Sequence, residues 1–200
     1  MKKLILLLVL CLGFLSASHA GLVTKGVTWS SSIGGNDHTY YLVEFPYYSW
    51  NDATNDLFAT VGPGFHLATI TSQDEQDFLL DHLLYSTSPN VDYFGEYWLG
   101  GYQFPENTPG KYDNWVWVTG EAWSYTNWLP FEPNDQGGPG IEQHLGIKYF
   151  PSYSGWNDEG YYENIQGYIV ESVPEPSSFI LMAVGLAGLG VASRKKHKHN

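Results

Sequence analysis

Residues 131–147 read FEPNDQGGPGIEQHLGI, and residues 154–160 read SGWNDEG. Glycine and proline mark the first stretch as a surface loop. Within it stand Glu132, Asn134, Asp135 and Glu142, and the second stretch adds Asn157 and Asp158. Oxygen-bearing side chains crowded in this way either bind something positive or keep a loop solvated. Calcium takes six to eight oxygens at about 2.3–2.6 Å from carboxylates, amides, backbone and water. Glu132, Asn134, Glu142, Asn157 and Asp158 would supply three carboxylates and two amide oxygens, leaving a site about one charge negative around a doubly charged ion. The set has neither histidine nor cysteine, the ligands that zinc favours. A loop and a strand end far apart in sequence can converge on one ion.

Outward from this region the chain reads as one α+β domain. TYYLVEF (39–45) has strand composition, and Ser49 caps a helix with Trp50, Ala53 and Leu57 on one face. GFHLATITS (64–72) predicts a strand running into a second helix start. There Ser72 and Glu75 have the spacing of a capping box before QDFLLDHLL. After these two helices come short strands: EYWLGGY (96–102), NWVWVTG (114–120), HLGIKY (144–149) and GYIVES (167–172). Aromatic residues make up 16% of the chain, as in small folds with interlocking cores. His66 in its apolar strand reads as core, and no serine, cysteine or histidine arrangement suggests nucleophilic catalysis.

These pieces, in this order, resemble a C-type lectin-like domain from about Tyr40 to Glu171. The residues carrying the resemblance are WNDA with Trp50 and Ala53, FHLATITS, YWLGG with Trp98 and Gly100, WSYTNW with Trp123 and Trp128, then Glu-Pro-Asn, Glu142, Trp-Asn-Asp and the closing GYIVE. The resemblance implies two helices, small antiparallel sheets and a long calcium-binding loop. It also implies that Pro133 is cis, and that Glu132, Asn134, Glu142, Asn157 and Asp158 are the calcium ligands and the carbohydrate-binding residues of one primary site. In that family two vicinal hydroxyls of a sugar replace water on the ion while hydrogen-bonding to its ligands. The Glu-then-Asn order goes with equatorial hydroxyls, as on mannose, glucose or fucose, and the Gln-then-Asp order with galactose.

Three departures from the family pattern stand out. Leu57 with Val170, and His144 with Tyr161, occupy the usual disulfide positions, so the fold is expected to be disulfide-free. The step from Glu132 to Glu142 is about two residues longer than the common pattern, which puts the place of Glu142 in question. A second calcium site would have only Asp135 and Glu106 or Asn107 behind it, because Gln103 and Gln143 stand where acids are common.

Both ends read as processing segments, leaving a domain at 21–172. Residues 1–20 have two lysines, an apolar run and Ser18-His19-Ala20, the pattern of a secretory signal peptide. Residues 173–200 begin Val-Pro-Glu-Pro, continue as an apolar span from Ser177 to Ala192, and end in Arg194, Lys195, Lys196 and Lys198. This tail resembles the PEP-CTERM sorting signal. The resemblance implies an exosortase-type processing enzyme, transient membrane association through a transmembrane segment, and a final place at the cell surface or outside the cell. Between residues 21 and 173 three lysines face twenty acids, a net charge of −17. That surface repels nucleic acid and welcomes cations. The one cysteine, Cys11, falls within the signal peptide.

The expected function is calcium-dependent binding of a mannose- or glucose-type glycan, such as an exopolysaccharide. The alternative is a structural matrix protein that uses calcium for stability and binds no sugar. A hydrolase using an acid pair such as Glu132 and Glu142 is disfavoured, because ligation keeps both carboxylates ionised and leaves no general acid.

Overall fold

The computed structural model describes residues 22–23, 26–60, 64–85, 95–150 and 153–174. Residues 1–20, which read as a signal peptide, and the tail beyond residue 174 lie outside the described residues. Among those described, no helix is long and apolar enough to cross a membrane.

Among the described residues, nine strands, two α-helices, a 3-10 turn (Ser31–Ile33) and a long irregular segment make up the domain. The strands are β1 (Leu22–Val23), β2 (Val27–Thr28), β3 (Thr39–Glu44), β4 (Phe65–Leu67), β5 (Gly95–Gln103), β6 (Trp115–Trp117), β7 (His144–Tyr149), β8 (Ser154–Glu159) and β9 (Gly167–Ser172). Helix α1 spans Trp50–Thr60, and α2 spans Gln73–Leu79 before a π-helical turn at Leu80–Leu84. The α+β expectation is met. The sheets expected to be small and antiparallel are linked into one, ordered β1-β3-β9-β5-β7-β8, through a short parallel pairing of β5 with β9.

Both helix starts follow from the sequence. The Ser49 hydroxyl donates to Asp52 Oδ2 at 2.6 Å and accepts the N–H of Asp52, which makes a reciprocal cap. Trp50, Ala53 and Leu57, spaced along one helical face, are all buried. At α2 the Ser72 hydroxyl accepts from the N–H of Glu75. The Glu75 side chain does not reach back to Ser72; its Oε2 takes the N–H and hydroxyl of Thr71 instead.

Alternation along the strands produces two cores. Tyr97 and Leu99 of β5 join Tyr40, Leu42, Ile147, Trp117 and Trp156 in one cluster. Trp98, between them, joins Val43, Leu57, Leu67 and Val170 in the other. Leu57 and Val170 thus fill a disulfide position with packing, worth about 1.5–3 kcal/mol per fully buried side chain. His144 and Tyr161 take separate partners. The His144 ring stacks on Trp50 with centroids 4.8 Å apart, while Tyr161 stays half exposed.

The site is positioned by the far edge of the sheet. Trp156 of β8 is fully buried, edge-on to Trp117, Trp128 and Tyr125, and its indole N–H donates to Gln76 Oε1 of α2 at 2.9 Å. The incoming segment is tied to the same residue. Trp156 N donates to Asn127 O at 2.7 Å, and Leu129 N donates to Trp156 O at 2.9 Å. Glu132 therefore arrives beside Asn157 and Asp158.

Candidate functional site

Glu132, Asn134, Glu142 and Asn157 line one polar pocket of about 290 Å³, together with Gln136, Lys148, Glu159, Tyr161, Glu163 and Asn164. Asp158 is completely buried beneath the loop. Its Oδ1 accepts the N–H of Asn134 at 2.8 Å, and its Oδ2 the N–H of Asp135 at 2.7 Å. The peptide bond between Glu132 and Pro133 is cis, as the resemblance implies.

The longer step from Glu132 to Glu142 does not expel Glu142. Gly137, Gly138 and Gly140 adopt positive φ angles, which glycine tolerates, and the extra residues curl back on themselves. Asp135 closes the curl. Its Oδ2 accepts from Gly140 N at 2.6 Å, and its Oδ1 accepts from Ile141 N and Glu142 N. Glu142 is left buried, with Oε2 accepting the N–H of Gln136 at 2.6 Å.

Electrostatics separate this cluster from a merely wet loop. Glu132 Oε2 is buried and has no hydrogen-bond partner. Burial first, and then the neighbouring Asp158, push the Glu132 carboxyl up to about 7. Burial pushes Glu142 to about 8, with Asp158, Glu159 and Glu132 adding to the rise. Crowded acids that resist ionisation want a positive charge. Lys148 supplies one, but its Nζ lies 3.4 Å from Glu96 Oε2, in a neighbouring pair. A hard divalent cation fits what remains: an all-oxygen donor set, surplus negative charge and an orphaned carboxylate oxygen.

Asn157 donates Nδ2 to Glu96 Oε1 at 3.0 Å and to Glu159 Oε2 at 3.4 Å, which fixes the orientation of its amide. This is the outer-shell orientation that metal-ligating side chains commonly receive. Glu96, Glu159, Glu163 and Lys148 were not anticipated from the sequence. Glu159 had a signal, because side chains two apart on a strand share a face and it therefore accompanies Asn157. Glu96 and Lys148 face each other only through the β5–β7 register.

Where a second calcium site would stand, Asp135 is spent on the loop's own backbone. The amides of Gln103 and Gln143 replace acids there. Gln103 Nε2 donates to Gly110 O and Asp113 O, Gln143 Oε1 accepts from Asn107 N, and the two side chains meet at 3.3 Å. Neutral hydrogen bonds hold this second loop. Elsewhere, His38, Glu75 and Glu171 are the one group of three titratable metal-ligand side chains within 4.8 Å of one another among the described residues. Their carboxylates are engaged by Tyr40, Asn36, Thr71, Thr69 and His38.

Residues 172–196 match the PEP-CTERM protein-sorting motif. Over 113 residues the chain is 34% identical to a lectin of Pleurodeles waltl, covering 56% of this chain and 57% of that protein. It is 33% identical over 93 residues to perlucin of Haliotis laevigata, covering 46% of this chain and 52% of perlucin. The chain thus spans little more than half the length of either relative. Among solved structures, the C-type lectin domain of murine dendritic cell inhibitory receptor 2, determined in complex with an N-glycan, superposes with a TM-score of 0.51. That match has 24% identity and covers 68% of this chain and 91% of that one. The fold is C-type lectin-like, free of disulfides.

Proposed function

We propose that this chain is an exported protein that binds carbohydrate through calcium, with Glu132, Asn134, Glu142, Asn157 and Asp158 as the ion's ligands. The observation that carries this reading is the gathering of four of these side chains in one polar pocket over Asp158, with Glu132 Oε2 buried and unpaired. Similarity to lectins supports carbohydrate as the ligand class. Held by these residues, calcium would supply a Lewis-acidic centre able to attract sugar hydroxyls. The protein's own groups fix which hydroxyls fit. Glu132 and Glu142 accept hydrogen bonds, Asn134 can donate through Nδ2, and Glu96 holds the amide of Asn157 in one orientation. The Glu-then-Asn order favours a mannose- or glucose-type arrangement, as in an exopolysaccharide.

The layout we propose is a removable leader at 1–20, the binding domain at 21–172 and a sorting tail at 173–200. The tail engages the membrane transiently and is cut by an exosortase-type enzyme, which delivers the domain to the cell surface or beyond. A glycan array probed with and without a calcium chelator tests the binding reading. Binding to mannose- or glucose-type glycans that chelation abolishes is expected. Calcium uptake with no glycan bound would return the protein to the structural-matrix reading.

A further inference from the structure

Next to the cation pocket runs a second, larger groove of about 760 Å³, whose walls include Phe131, Phe150, Tyr153, Glu163, Asn164 and Gln166. The two cavities share Glu132, Lys148, Glu163 and Asn164, so the groove is an extension of the pocket. We infer that this groove is a second sugar subsite, so that the chain reads a glycan segment of at least two pyranose rings and not a lone terminal sugar. The inference rests on the reading of the cation pocket as a sugar site.

The groove's chemistry points to a pyranose. Such a ring has an apolar C–H face and a rim of hydroxyls, and it needs an aromatic floor with a few polar groups at the edge. Phe150 and Tyr153 stack on each other with centroids 4.3 Å apart and planes within 19°. Tyr85 braces them: its hydroxyl donates to Phe150 O and lies 2.8 Å from Ser154 Oγ. Tyr153 nonetheless leaves half its surface to solvent. Phe131 goes further, with 93% of its surface exposed and a φ of 77°. A bulky side chain in left-handed backbone is strained, and one left in water buries no apolar area of its own. Ligand contact is where such a ring gains. The carboxylates and amides of Glu132, Glu163, Asn164 and Gln166 suit hydroxyls and make a poor bed for an acyl chain, because burying them against hydrocarbon leaves them unpaired.

Titration calorimetry in calcium separates the possibilities. Mannobiose and cellobiose would be compared with methyl α-mannoside and methyl β-glucoside, on the wild-type domain and on Phe131→Ala and Tyr153→Ala. Phe131 is almost wholly exposed, so its removal leaves the fold intact. The expected result is a disaccharide bound about tenfold more tightly than its monosaccharide, equivalent to about 1.4 kcal/mol. Both variants should lose that gain and keep the monosaccharide affinity. Equal binding of mono- and disaccharide by the wild type, or a gain that survives in both variants, overturns the subsite while the cation reading stands. A gain that persists after chelation supports the subsite and removes its calcium premise. Absence of any sugar binding overturns both.

Discussion

The backbone N–H of Asn134 lies 2.8 Å from a carboxylate oxygen of Asp158, twenty-four residues further along the chain. With the Asp135 N–H on its other oxygen, Asp158 splints the loop before any ion is present. Glu132 has the opposite standing, since its buried Oε2 has no partner within the protein. The two acids should therefore separate in mutagenesis. Asp158→Ala leaves two N–H groups without an acceptor and is expected to cost about 2–4 kcal/mol without calcium, besides losing the ion. Glu132→Gln and Asn157→Ala should abolish calcium-dependent sugar binding, and Glu132→Gln should leave the calcium-free fold unharmed. Urea unfolding and calcium titration of the three variants measure both effects. An Asp158→Ala domain as stable as wild type would show that the loop is shaped elsewhere.

Calcium should stabilise the domain measurably. At a hundredfold excess over Kd, an ion that binds only the folded state adds about 2.7 kcal/mol. For a domain of this size that raises Tm by about 5–10 °C. Reducing agent should change nothing, because the only cysteine, Cys11, lies within the proposed leader. Thermal scans with calcium, chelator and dithiothreitol give the answer, and a Tm indifferent to chelator would remove the ion from the site.

A pH effect is expected at the opposite end of the sheet, where His38 hydrogen-bonds to buried Glu171. That bond raises the His38 pKa, and the nearby charges of Glu171, Glu75 and Glu121 add to it against partial burial. A histidine raised in the folded state stabilises fully below its unfolded value of about 6.5, and that contribution is lost as pH rises through the folded pKa. Wild type should therefore exceed His38→Ala in stability most clearly near pH 5.5–6, with the gap narrowing toward pH 9. A gap that widens with pH would mean that His38 acts as a neutral hydrogen-bond partner only.

The exported protein should end near Pro174-Glu175-Pro176 and lack the basic cluster at 194–198. Intact mass spectrometry of material isolated from its native cells reads this directly. A main species retaining Lys198 would mean that the tail stays as a plain anchor.

Much of this architecture is legible in local patterns, because caps and alternation are local. Ser49, Ser72 and the buried face of Trp50, Ala53 and Leu57 behave as their spacing dictates. GFHLATITS has strand composition along its length, yet only Phe65–Leu67 pair in the sheet. It leaves the sheet after Leu67, where the N–H of Thr69 turns to the side chain of Glu171. That partner is 102 residues away and invisible to any window of sequence. The five proposed oxygen ligands are legible in their motifs; four of these side chains line one pocket, with Asp158 buried beneath the loop. Glu96 and Lys148 are not, since they meet only by cross-strand register. The curl of the long loop also depends on one side chain, Asp135, capturing three backbone N–H groups at once.

Trp156 fixes where motion can occur. Its indole is tethered to Gln76, and Asn157 and Asp158 follow it directly in β8. These two residues are thus seated on the rigid layer, while Glu132 and Asn134 ride on the irregular segment that drapes over it. An ion taken up as proposed would meet two ligands seated in the sheet and two carried by a segment that Asp158 already pins to it through the N–H groups of Asn134 and Asp135.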